Sequence, residues 1–133
     1  MKNVFEVKAD LQSLRYHLGK LDDLDHNFKY NYDDPDEKFL ARKVNRCLAM
    51  AMELEGEITS LTRGILTSGN LVRNMSGRYE VDGIELTSGR VIEYWDRKYN
   101  EWLEDRIEHF NNDYGLIYKK TNDIDGLRVR IRN

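Results

Sequence analysis

Hydrophobic positions in the first half of the chain recur at spacings of three and four. Leu11, Leu14, Leu18, Leu21, Leu24 and Phe28 form one such series, a stripe that predicts a helix from about Glu6 to Tyr30. Gly19 inside it costs ~1 kcal/mol relative to alanine. An Asn- and Asp-rich turn follows, then Asp34 ahead of Pro35, Asp36 and Glu37. That order supplies an N-cap, a first-turn proline and two acids that complement the helix dipole, so a second helix should begin there. Its apolar series, Leu40, Val44, Cys47, Ala51, Leu54, Ile58 and Leu61, alternates fours and threes as a coiled-coil seam does. Two helices of similar length with a short link predict an antiparallel hairpin with Cys47 on its buried seam. The run Leu48-Ala49-Met50-Ala51-Met52 is apolar around most of the helix, more than one seam requires. It points either to packing against the rest of the chain or to a dimeric four-helix arrangement.

The period changes near Thr62-Arg63-Gly64. Arg78-Tyr79-Glu80-Val81 and Ile84-Glu85-Leu86-Thr87 flank Asp82-Gly83, a strong signal for a tight β-hairpin. Leu66-Thr67-Ser68-Gly69-Asn70-Leu71-Val72 and Leu86-Thr87-Ser88-Gly89-Arg90-Val91-Ile92 are near-copies twenty residues apart. Two copies are too few for a solenoid, and both glycines are expected in tight bends. At the end Leu127, Val129 and Ile131 alternate with Arg128, Arg130 and Arg132, a half-buried strand with a basic outer face. The segment 96–110 fits either a helix or a strand by periodicity. The Asn111-Asn112-Asp113 turn and the Tyr114–Tyr118 run after it favour a strand.

Composition narrows the classes. The 133 residues are 40% hydrophobic, 34% charged and 11% aromatic, with a net charge of −3, which fits a folding chain and disfavours a generally basic nucleic-acid coat. Residues 1–60 hold nine basic and twelve acidic residues and the remainder twelve of each, so the acidity lies in the helical half. The N-terminal residues lack a signal-peptide core and no window approaches eighteen uncharged apolar residues, so a cytoplasmic chain without membrane contact is expected. A single cysteine makes no internal disulfide.

Chemistry-bearing groups are sparse. His17, His26 and His109 carry no metal-ligand spacing, and no glycine loop suits a phosphate or dinucleotide, so no metal site and no cofactor is expected. Glu108-His109 beside Arg106 and Trp102 is the one cluster able to stage an acid and a base, but neighbours on a strand point to opposite faces. No catalytic residue is assigned. For nucleic acid the candidates are Lys119, Lys120, Arg128, Arg130 and Arg132; three arginines on one strand face repeat at about 6.6 Å, near a single-strand phosphate spacing. The same arginines suit an edge-guarding or ion-paired strand. For a protein partner the candidates are the acids of the hairpin tip, Asp22, Asp23, Asp25, Asp33, Asp34, Asp36 and Glu37, and the apolar Met50 and Met52.

The series Gly77-Arg78-Tyr79-Glu80-Val81, Asp82-Gly83-Ile84-Glu85-Leu86-Thr87-Ser88-Gly89, Trp102, Arg106-Ile107-Glu108-His109, Tyr114 and Leu127-Arg128-Val129-Arg130-Ile131-Arg132 resembles a small uncharacterised domain family of Gram-positive bacteria, common on their phages, plasmids and conjugative elements. The resemblance covers about residues 64–132. It implies an SH3-like β-barrel, a mobile-element setting and no assigned activity. The sequence thus predicts an α+β protein, an N-terminal antiparallel helical hairpin (1–62) followed by a small SH3-like antiparallel β-barrel (63–133). The expected role is that of a non-enzymatic accessory protein acting through protein contacts, such as an inhibitor of a host defence nuclease of the CRISPR type. Nucleic-acid binding through the arginine strand is the alternative, and a homodimer through the hairpin is a further expectation.

Overall fold

The structure, a computed structural model, describes residues 1–133. They divide into two compact units, Met1–Arg63 and Gly64–Asn133.

The first unit holds helix α1 (Val4–Gly19), a single 3-10 turn (Asp22–Leu24) and helix α2 (Pro35–Ser60). The Asn3 side chain caps α1 by accepting from the Glu6 amide at 2.9 Å. Asp34 caps α2 through the amides of Asp36 and Glu37, with Pro35 in the first turn as its fixed φ favours. The Glu37 carboxylate also accepts from the Asn31 amide at 2.8 Å. Arg15 lies 3.7 Å from Glu55, and the His26 amide donates to the Asn45 side chain. Arg15 on α1 thus meets the late part of α2 and His26, further along the chain, meets its middle, so the chain runs antiparallel along α2.

The first helix is shorter than its apolar stripe predicts, ending at Gly19 and not near Tyr30. Asp22, Asp23 and Asp25 lie just beyond, where a helix C-terminus repels negative charge. His26 takes a left-handed φ of 53°, and the Asn27 amide group donates to the Asp23 carbonyl at 3.0 Å. Local bonds of this kind compete with helix continuation. The seam of α2 is also rotated from its expected line. The buried side chains are Ala41, Leu48 and Ile58, while Cys47 is exposed, a correction to its expected burial.

The second unit is antiparallel throughout. Its strands are β1 (Ile65–Asn70), β2 (Val72–Arg73), β3 (Tyr79–Val81), β4 (Ile84–Leu86), β5 (Val91–Asp96), β6 (Glu101–Phe110), β7 (Asp113–Leu116) and β8 (Arg128–Arg132). A five-stranded sheet runs β1-β8-β5-β6-β7 and a three-stranded sheet runs β2-β3-β4. Segment 96–110 is a strand over its second part, β6. Asp82 and Gly83, both at positive φ, turn β3 into β4 as the two-residue hairpin signal requires. Of the two near-copies only the second places its glycine in a bend, Gly89 at φ 90°. Gly69 instead lies within β1, where an added Cβ would meet a Val81 methyl at 3.4 Å.

One core joins both sheets: Leu71, Tyr79, Val81 and Leu86 from the smaller side meet Ile92, Tyr94, Ile107, Leu116, Val129 and Ile131 from the larger, with Ile124 from a loop. Arg73 on β2 reaches β7 with a bidentate pair to Asp113 at 2.9 and 2.8 Å and also donates to the Tyr79 hydroxyl at 2.7 Å. The hydrogen bonds from Arg73 hold the Asp113 carboxyl down at about 2. Asp105, buried in β6, accepts from the amides of Tyr118 and Lys119 and so fixes the turn after β7. No helix is long and apolar enough to cross a membrane.

Candidate functional site

Alternation in β8 puts Val129 and Ile131 in the core and Arg128, Arg130 and Arg132 on the outer face. Register then decides what those arginines meet. Glu93 of β5 pairs with Arg130 across the ladder, and its two carboxylate oxygens accept from Arg130 Nε at 2.6 Å and Arg132 Nε at 2.5 Å. Burial pushes the Glu93 carboxyl up, but the hydrogen bonds from Arg132 and Arg130 outweigh it and leave the group below its ordinary range. Two of the three arginines therefore share one half-buried anion.

Arg128 is differently placed. Trp95 and Trp102 are directly opposed on β5 and β6, edge to face at 5.3 Å. The Arg128 guanidinium lies 5.3 and 5.0 Å from their ring centres, and that of Arg130 lies 4.2 Å from Trp102. The indole faces are thus already covered by guanidinium groups. Beside them opens a cleft of about 550 Å³ whose lining includes Trp95, Arg97, Lys98, Lys119, Asp123, Asp125 and Arg128. Lys119 sits 4.8 Å over the Tyr94 ring, and Lys120 is exposed at φ 58° on the same turn. Cations and aspartates both line this cleft, so its field is mixed and not uniformly positive. The arginines are legible in the sequence, whereas Glu93, Trp95 and the cleft are not, because cross-strand partners depend on a register that periodicity does not reveal.

Glu108 and His109 fall on opposite faces of β6, and His109 packs edge-on against Tyr114 at 5.0 Å. No group of three or more His, Cys, Asp or Glu side chains is arranged to hold a metal ion.

In the hairpin the tip acids do different work. Asp34 and Glu37 are spent on capping and the turn. Asp25 is half-buried with one oxygen 3.6 Å from His26 Nε2, whereas Asp22, Asp23, Asp33 and Asp36 are exposed. The tip is therefore less uniformly available than its composition suggests. Met52 is half-buried, but Met50 is 62% exposed.

Met50 belongs to a larger surface. Phe39 (59%), Leu40 (60%), Leu54 (41%) and Leu61 (42%) are exposed, as is Cys47. Leu40, Cys47, Leu54 and Leu61 recur every seven residues, a line lying roughly a quarter-turn around α2 from its buried seam at 100° per residue. On α1, exposed Val7 and Leu14 are displaced by a similar angle in the same rotational sense. In antiparallel helices equal rotations carry both lines to one side, so the hairpin has one largely apolar face, which Lys43 and Glu57 interrupt on the line of Met50. The signal was present in the sequence as two interleaved stripes read as a single seam.

Residues 69–131, nearly all of the β unit, match the model of a family described as Domain of unknown function (DUF5348). The helical hairpin lies outside the match. Comparison with curated proteins and with solved structures found no match.

Proposed function

We propose that this chain is a non-enzymatic binding protein whose helical hairpin engages a protein partner through its apolar face. The observation that carries this reading is that α1 buries no residue and α2 buries only Ala41, Leu48 and Ile58, while Phe39, Leu40 and Met50 stand more than half exposed. Helices in proteins owe most of their stability to packing of an amphipathic face, and a contiguous exposed apolar patch marks a contact surface. The β unit supplies a stable body; its shared core and the Arg73–Asp113 clamp between sheets support reading it as a small SH3-like barrel. The mobile-element setting follows from the resemblance of that unit, and exposed Asp22, Asp23, Asp33 and Asp36 support the finer reading in which the tip enters a basic groove, as on a defence nuclease.

Nucleic-acid binding stands second. Exposed Arg128, Lys119 and Lys120 favour it, and the Glu93 pairing of Arg130 and Arg132 weighs against it. Gentle capture of the tagged chain from its native host separates the two, by the 260/280 nm absorbance ratio and the identity of what co-purifies. A low ratio, with a stoichiometric protein that Met50→Asp releases, is expected. A high ratio that falls with nuclease or a salt wash moves the function to the arginine strand.

A further inference from the structure

The charges on and beside the exposed face of α2 are segregated, with Lys43 and Glu57 at the heptad position of Met50 within that face. Lys38, Arg42, Lys43 and Arg46 precede an uncharged run from Cys47 to Met52, and Glu53, Glu55 and Glu57 follow it. Within one helix this order is unfavourable. Lys38–Arg42, Arg42–Arg46 and Glu53–Glu57 are like-charge neighbours four residues apart, each destabilising, and Glu57 lies in the last turn, where the dipole disfavours an anion. Arg15 answers Glu55, but Lys43, Arg46, Glu53 and Glu57 are exposed and make no ion pair within the chain.

The pattern is self-complementary when reversed. Laid antiparallel against another α2 about a two-fold axis near Met50 and Ala51, Leu40 meets Leu61 and Cys47 meets Leu54. Lys43 then comes within a residue of Glu57, and Arg46 within two of Glu53. A repeat of seven with charges of opposite sign at its two ends is how antiparallel coiled coils specify orientation, and one patch facing itself is the condition for a two-fold interface.

We propose that the exposed face of α2 is the docking surface for a second copy of this chain, packed antiparallel and centred on Met50, to give a four-helix arrangement. This rests on the protein-contact reading above and names the partner. The uncharged centre supplies the buried apolar contact, and the segregated ends select the antiparallel orientation over the parallel one, which would set Lys43 against Lys43 and Glu57 against Glu57.

Sedimentation equilibrium of the full chain tests it. The wild type should dimerise reversibly, and Lys43→Glu, which places two acids together at both ends, should weaken the dimer by roughly tenfold or more. Adding Glu57→Lys to that variant should restore association to near the wild-type level. Both sites are exposed, so circular dichroism is expected to show folded protein in each case. In a separate variant, Leu54→Cys, diamide should join Cys47 of one copy to the introduced thiol of the other and give a covalent dimer.

A monomeric wild type, or a Lys43→Glu dimer that the second substitution does not restore, overturns the proposal. A monomer that still captures a protein released by Met50→Asp keeps the protein-contact reading and removes only the second copy. A wild type that neither dimerises nor captures a protein ends both.

Discussion

Single side chains in the β unit carry more than their local positions suggest. An added Cβ at Gly115 would lie 2.4 Å from the Thr121 carbonyl and 2.9 Å from Asn122 Nδ2, and that amide group itself donates to the carbonyls of Phe110, Asp113 and Tyr114. Gly115→Ala should therefore cost about 2 kcal/mol by overpacking against backbone that cannot retreat, read as a lower urea midpoint with an unchanged slope. The Arg73–Asp113 pair predicts an acid response. Because the folded carboxyl is held at about 2, below its ordinary 3.8, its contribution is complete above the unfolded value and is lost as pH falls through the folded one. Asp113→Asn should lower the thermal midpoint at neutral pH and flatten its decline between about pH 4 and 2. An identical decline in wild type and variant would show that the clamp adds nothing.

At the scale of elements, strand register converts a basic strand into a partly neutralised one. Glu93 answers both Arg130 and Arg132, so Glu93→Gln should cost about 1–3 kcal/mol of stability through lost charge-assisted bonds. The same change should raise the salt concentration needed to elute the chain from a polyanion column, since one negative charge is removed beside the arginine face. An unchanged elution would mean that this face meets no polyanion at all. In the hairpin the strong element is α2, with Asp34, Pro35 and Glu37 each serving its start, whereas α1 ends where acids crowd its C-terminus.

Over the whole molecule the two units are stabilised in different ways. The β unit has a core of eleven buried residues drawn from both sheets, while the hairpin has three buried side chains and an open apolar face. Thermal unfolding followed by far-ultraviolet circular dichroism should resolve a helical transition that moves upward with protein concentration and a β transition that does not, as linkage to self-association requires. A helical transition independent of concentration would place the stability of α1 and α2 within one chain.

Much of this was legible in the residues alone. The cap of α2 at Asp34-Pro35, the Asp82-Gly83 hairpin and the inward and outward sides of β8 are local matters, set by dihedral preferences and by periods of 3.6 and 2 that neighbours in sequence impose. The end of α1 at Gly19, the exposure of Cys47 and the absorption of Arg130 and Arg132 by Glu93 were not legible. Each depends on which face an element turns to a distant partner. Two overlapping apolar stripes on α2 read alike in sequence, and only packing against α1 determined which is buried and which is left as a surface. Ladder register did the same for the arginines, because an ion pair 37 residues apart along the chain exists only once the strands are aligned.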